Sequence, residues 1–224
     1  MIEVRELTKT YVLDGQVFKA VDNVSFVIGR GEMASIIGHS GSGKTTLLSL
    51  IGGLTKPASG SVLIEGKAIW SMSDDELSGF RNRKMNFIYQ FSSLVPTLTA
   101  LENILLPTAF GDHGENLVDY ARELLGVVGL TEKENSYPSH LSGGQQRRIA
   151  IARAFINKPD IVLADEPTGD LDEDTENEII ALFNRMNKDA GTTFVIVTHN
   201  KEIAALTGHQ LKMANGIVSD ISRA

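Results

Sequence analysis

The chain has 224 residues, 42% of them hydrophobic and 22% charged, so it is long enough to bury a substantial core as one large α/β domain or two small ones. A formal net charge of −7 argues against nucleic acid or an anionic membrane surface as the main partner. Either would call for a basic stripe, and the cluster Arg81, Arg83 and Lys84 is too small to supply one.

The absence of cysteine excludes disulfides and thiolate metal sites and suits a reducing compartment. Met1-Ile2-Glu3-Val4-Arg5-Glu6 carries acids where a signal peptide is apolar. No apolar run approaches the ~18 residues of a bilayer span. The expectation is a cytosolic protein that reaches a membrane only through a partner.

Residues 2 to 30 alternate apolar and polar around turns at Leu13-Asp14-Gly15-Gln16 and Gly29-Arg30-Gly31-Glu32, a hairpin-rich β start. Tyr11, just before the first turn, either packs within a strand or stacks on a nucleotide base. Met33 to Ile37 then reads as a short buried strand, and Thr46 to Ile51 has helical spacing. Between them runs Gly38-His39-Ser40-Gly41-Ser42-Gly43-Lys44-Thr45-Thr46, which meets every fixed position of the G-x-x-x-x-G-K-[ST] phosphate loop. Its glycines let backbone N–H groups approach phosphate oxygens, and the helix N-terminus adds a positive dipole end. Lys44 can reach the β- and γ-phosphates, and the Thr45 hydroxyl suits a phosphate-bound Mg²⁺. A dinucleotide fold fits less well, because the third glycine of G-x-G-x-x-G is missing.

Further along, Ser61 to Gly66 returns as a strand, Asp74 to Arg83 reads as a charged helix with Ser73 as N-cap, and Met85 to Tyr89 is a strand ending at Gln90. From there to about residue 157 helices alternate with Gly and Pro, with an acidic run from Glu115 to Glu123. Leu141-Ser142-Gly143-Gly144-Gln145-Gln146-Arg147-Arg148 opens a helix with exposed first-turn N–H groups. It is either a second anion site or merely a capped helix start, and it has no lysine or magnesium ligand of its own.

Asp160 to Glu166 is a buried-strand run ending in two carboxylates, on the expected ligand edge of a parallel sheet. There Asp165 suits Mg²⁺ and Glu166 suits a water aimed at the γ-phosphate. Asp170 to Asp174 is not a calcium loop, since Thr175 and Ala181 stand where Gly and Glu are required. Those acids instead open a helix with apolar Ile179, Leu182, Phe183 and Met186, stopped by Gly191. Thr193 to Thr198 is a core strand ending at His199, which is either structural or a γ-phosphate contact. Leu211 to Ile221 forms a hairpin around Asn215-Gly216.

The set Gly38 to Thr46, Gln90, Leu141 to Gln145, Asp165-Glu166, Asp172 and His199 resembles, in order and spacing, the ATP-binding cassette ATPases over the full chain. The resemblance implies an α/β fold: a P-loop NTPase core with an antiparallel β subdomain over residues 1–90 and 158–224, and an inserted α-helical subdomain over 91–157. It implies ATP and Mg²⁺ as ligands and a head-to-tail dimer with a second copy. Each ATP would lie between one phosphate loop and Ser142, Gly143, Gly144 and Gln145 of the other copy. Tyr11 would stack on adenine, Glu166 would be the catalytic base, and Gln90 would touch Mg²⁺ and the attacking water. His199 would contact the γ-phosphate, and Asp172 would couple the two sites.

The stretches Arg81 to Phe91, Leu94 to Ile104 and Glu166 to Asp172 resemble the group that includes lipoprotein-releasing and macrolide-exporting ATPases. That group usually has Asn where Asp170 stands. The implied partner is a separate membrane permease, docking near Gln90 to Pro96 and holding the ATPase on the inner face of the cell membrane. The rival readings are a soluble ATPase of the same family without a permease, and a non-hydrolysing ATP-gated interaction module.

Overall fold

The computed structural model describes residues 1–110, 117–169 and 171–222. The start of the acidic run at Glu115, and Asp170, lie outside the described residues. The chain opens with β1 (Ile2–Leu13) and β2 (Gln16–Ile28), a long antiparallel hairpin, followed by β3 (Met33–Ile37), α1 (Lys44–Ile51), β4 (Ser59–Ile64) and β5 (Lys67–Ala68). Then come α2 (Asp74–Lys84), β6 (Met85–Ile88), α3 (Ala100–Leu105), α4 (Val118–Val127) and α5 (Gly143–Phe155). The last part holds β7 (Ile161–Asp165), α6 (Glu173–Ala190), β8 (Thr193–Thr198), α7 (Lys201–Ala205), β9 (His209–Ala214) and β10 (Ile217–Asp220).

Two sheets organise these elements. One is antiparallel with order β2-β1-β4-β5, and the other has order β10-β9-β3-β8-β7-β6. Within the second, β9, β3, β8, β7 and β6 run parallel and β10 returns antiparallel. The central parallel strands β7 and β8 read as continuous apolar runs because both faces are covered. Strand alternation divides the core accordingly. Ile161, Leu163, Val195 and Val197 face α1 and the antiparallel sheet, packing with Leu47, Leu50, Ile2 and Val4. Val162, Ala164, Phe194 and Ile196 face the other way, against Ile104, Leu124, Ile151, Phe155 and Phe183. The buried sides of α3, α4, α5 and α6 thus share one cluster with the parallel sheet, so the helical block packs directly on the core strands.

The helix starts follow local capping chemistry. Ser73, Thr99 and Ser142 each form a capping box with the Glu or Gln three residues later, satisfying N–H groups that a helix start leaves unpaired. Asp172 caps α6, and Gly191 ends it in the left-handed conformation with φ +67. The sequence reading misses α7, which has only five residues and hence no readable period. Its signal is Asn200, whose side chain accepts from the Glu202 N–H at 2.8 Å. Among the described residues no helix is long and apolar enough to cross a membrane.

Candidate functional site: a phosphate-loop groove

The parallel register brings the C-terminal ends of β3, β7 and β8 together, Ile37 beside Thr198 and Asp165 beside Val197. The segments that follow these strands are the phosphate loop, Glu166 and His199. They converge on one groove of about 1230 Å³, lined also by Tyr11, Phe18, Gln90, Lys212 and Met213.

The start of α1 carries no side-chain cap and no acid in its first turn. Its free N–H groups and dipole therefore face the groove as an anion site. Lys44 is buried with its Nζ folded onto the loop, donating to the carbonyls of Gly38 at 2.8 Å and His39 at 3.0 Å. The ammonium is held by carbonyls alone in these two bonds, so a phosphate could take it over without breaking an ion pair.

Two of the loop glycines are also constrained by packing. A Cβ on Gly38 would lie 2.2 Å from the Met213 carbonyl, and one on Gly43 would lie 2.1 Å from the Ala20 carbonyl. Gly43 also has φ +105, and Gly41 has φ +77. The sequence assigns all three to phosphate approach; at Gly38 and Gly43 the closeness of β9 and β2 is a further constraint that leaves no room for a Cβ. Ser42 is turned inward: it is 7% exposed, its N–H donates to His39 O at 3.2 Å, and its carbonyl accepts from Gly216 at 3.1 Å. Its side chain is not part of the groove lining.

Asp165 and Glu166 divide their surroundings. Burial pushes the Asp165 carboxyl above the usual range and the neighbouring Glu166 charge adds to this, while a hydrogen bond from Thr45 and the Lys44 charge pull it back. Glu166 has φ +46, uncommon for a residue with a side chain, and its N–H donates to Val197 O at 2.9 Å. Its carboxylate accepts from the His199 N–H at 3.3 Å and lies 2.9 Å from His199 Nδ1. The Glu166 side chain is 14% exposed and that of His199 75%, so the acid is recessed behind the imidazole.

Tyr11 stacks on Phe18 across the β1–β2 hairpin, with ring centroids 5.7 Å apart and planes at 28°, and Lys9 Nζ sits 5.3 Å from the Tyr11 ring centre. Both rings stay exposed at the groove mouth. Phe18 was missed in the sequence, although its signal was present: hairpin register about the 13–16 turn pairs Tyr11 with Phe18.

Ser142, Gly143, Gly144, Gln145 and Asp172 do not line this groove. Ser142 Oγ accepts from Gln145 N–H at 3.2 Å, and Gln145 Oε1 accepts from Ser142 N–H at 3.0 Å, leaving an exposed helix start. Asp172 accepts from Thr175 N and Oγ1 at 2.9 and 2.8 Å, which holds its carboxyl below the usual range.

A phosphate loop, a strand-end acid pair and a strand-end histidine on one edge, with an exposed Leu-Ser-Gly-Gly-Gln helix start elsewhere, are what the sequence resemblance requires. The family model described as ABC transporter matches residues 21–169. The chain belongs to the ABC transporter family. It is 44% identical over 217 residues to the lipoprotein-releasing system ATP-binding protein LolD of Bordetella avium (strain 197N), covering 96% of this chain and 94% of that protein. It is 42% identical to LolD of Bordetella pertussis (strain Tohama I), again over 96% and 94% of the two chains.

Among solved structures, the dimeric ATP-binding cassette MJ0796 in a post-hydrolysis state with ADP and Pi superposes with TM-score 0.93 at 40% identity. The match covers 98% of this chain and 97% of that one. A second dimeric structure of the same bacterial ABC transporter cassette gives 0.92 at 41% identity. This ABC protein is therefore an ATP-binding, ATP-hydrolysing subunit of a transporter complex, on a P-loop α/β cassette.

Proposed function

We propose that two copies of this ABC ATPase close head to tail on two ATP molecules, and that closing and opening drive a separate membrane permease of lipoprotein-releasing type. In this reading each ATP lies between Gly38–Thr46 of one copy and Ser142, Gly143, Gly144 and Gln145 of the other, with Asp172 coupling the two sites. The incompleteness of the groove carries the reading. The phosphate loop, acids and histidine meet, while the exposed signature start, with Ser142 and Gln145 capped on each other, lies elsewhere on the chain. The dimeric state of both solved relatives and the LolD names of the sequence relatives support it. Attachment to the inner face of the cell membrane would come through the permease.

Within one site, Lys44 exchanges the carbonyls of Gly38 and His39 for β- and γ-phosphate oxygens, and the N–H groups at the start of α1 hold the same phosphates. Tyr11, backed by Phe18, offers the base a stacking face. Gln90 orients the attacking water, and the Glu166 carboxylate takes its proton as the water oxygen bonds to the γ-phosphorus. The bond from that phosphorus to the bridging oxygen breaks, giving ADP and inorganic phosphate. His199 hands over from Glu166 to the γ-phosphate.

Thr45, Gln90 and Asp165 would hold Mg²⁺, which neutralises phosphate charge when bound. The donors fit, being a hydroxyl, an amide oxygen and one carboxylate, with Thr45 already bonded to Asp165. Among the described residues no cluster of three or more His, Cys, Asp or Glu offers a cage of its own. That suits an ion brought in on phosphates. Because the signature start binds only across a bridging nucleotide, ATP favours the closed pair and hydrolysis releases it.

The test is a tagged Glu166→Gln protein. Light scattering should give a dimer with ATP and a monomer with ADP; a monomer in both would overturn the shared site. Purified from its native membranes with ATP, it should bring a small integral membrane protein with a large extracytoplasmic domain. Recovery in the soluble fraction alone would move the function to a permease-free ATPase.

A further inference from the structure

Arg147, on the first turns of α5, is 5% exposed although it carries a full positive charge. Its Nη1 donates to the Tyr89 carbonyl at 2.6 Å, and its Nη2 donates to the Gly169 carbonyl at 3.1 Å. Tyr89 immediately precedes Gln90, and Gly169 lies on the loop between Glu166 and Asp172. The Gly169 N–H in turn donates to the Glu166 carbonyl at 3.1 Å, so holding Gly169 holds the turn that carries Glu166.

Taking a guanidinium out of water is costly unless its donors are used. The planar fork suits this place because its separate N–H groups can grip carbonyls on two different loops at once, whereas a lysine is a single point charge. Two neighbours on α5 reinforce one of these grips. Ser92 Oγ donates to Gln146 Oε1 at 3.3 Å, and Arg153 donates to the carbonyls of Ser92 and Ser93 at 2.9 Å each. Of these three side chains, Arg147 is the one whose bonds also reach the loop after β7.

We infer that Arg147 is a positioning residue that ties the backbone beside Gln90 and the turn after Glu166 to the signature helix. Engagement of Ser142–Gln145 on the partner's nucleotide then sets the water-orienting side of the same subunit's own groove. The inference rests on the shared-site reading above. Its consequence is a coupling role: Arg147 does not line the groove, so its loss should act on turnover and leave binding in place.

The experiment compares full-length wild type, Arg147→Met, Arg147→Lys and Glu166→Gln for kcat, KM, single-subunit ATP affinity and amide hydrogen exchange with ATP. Arg147→Met removes hydrogen bonds made by a charged donor, so kcat should fall by about tenfold or more while ATP affinity stays within about twofold. Exchange should speed up together in segments 89–93 and 166–169. Arg147→Lys should recover only part of kcat, since one ammonium cannot span both carbonyls. If the Met variant does not fold, the Lys variant carries the same readouts.

Wild-type kcat in Arg147→Met, full recovery in Arg147→Lys, or loss of ATP affinity in proportion to kcat would each overturn the coupling role. Glu166→Gln separates the two levels. If it turns over at the wild-type rate, the reading of the site itself fails. If it is silent while Arg147→Met runs at the wild-type rate, only the present inference falls.

Discussion

Glu166 and His199 are paired, with His199 Nδ1 2.9 Å from one carboxylate oxygen and the His199 N–H donating to the other at 3.3 Å. The left-handed turn at Glu166, φ +46, aims the side chain across the sheet edge to meet the end of β8. A carboxylate already accepting from a backbone N–H and facing an imidazole has a fixed direction. The carboxylate proposed as proton acceptor is thus oriented before nucleotide arrives.

Replacing Glu166 by Gln should lower kcat by about 10²- to 10⁴-fold, the usual contribution of a positioned base, with ATP binding retained. His199→Ala should also lower kcat, by more than it weakens single-subunit ATP affinity, because it removes the group that passes from Glu166 to the γ-phosphate. Steady-state hydrolysis beside equilibrium binding checks both. A Glu166→Gln enzyme as fast as wild type would show that another group is the base.

Asp165 gives a pH-dependent prediction of opposite sign to an ordinary surface carboxylate. Its folded-state carboxyl titrates above its unfolded value because burial disfavours the charged form. Below the unfolded value the group costs nothing; as pH rises through the folded value, the native state holds a penalised charge and stability falls. Asp165→Asn should therefore raise Tm of the nucleotide-free protein near neutral pH, and the gain should shrink on acidification. Hydrolysis should be lost in the same variant.

Ser142→Arg should abolish hydrolysis while leaving ATP binding to a single subunit intact, since Ser142 does not line its own groove. Fluorescent-nucleotide titration and phosphate release measured together check this. Loss of both would argue against a site shared between copies.

At the base subsite, Phe18→Ala removes the ring that backs Tyr11. Stacked aromatic pairs contribute about 0.5–1.5 kcal/mol, so KM for ATP should rise by roughly two- to tenfold with kcat near wild type. A purine triphosphate lacking the adenine amino group should suffer the same loss, because stacking reads the ring face.

Gly38→Ala tests the packing role of the phosphate loop. The new Cβ would sit 2.2 Å from the Met213 carbonyl, so β9 or the loop must move. Overpacking of this kind costs about 1–3 kcal/mol. The expected result is a lower Tm even without nucleotide, measured by thermal unfolding; an unchanged Tm with weakened ATP binding would return Gly38 to phosphate access alone.

The sequence by itself determined which candidate reactive groups this protein carries. The phosphate loop, the acids ending β7, the histidine ending β8 and the signature start are short motifs whose function depends on residue type at fixed local spacing. The cap at Ser73, the acidic helix start over 170–174, the stop at Gly191 and the hairpin about Asn215-Gly216 were legible for the same reason, because capping and turn chemistry act within a few residues.

What only the tertiary structure decided were contacts between segments far apart in the chain. Strand order places Asp165 and His199 beside the phosphate loop, and no local pattern specifies which strands pair. Met213 and Ala20 approach Gly38 and Gly43 too closely for a Cβ, and hairpin register sets Phe18 against Tyr11. Arg147 carries no local signal in the sequence; its burial between the carbonyls of Tyr89 and Gly169 arises from the packing of α5 on the parallel sheet. Local spacing fixes which groups are present, and long-range packing fixes which of them meet.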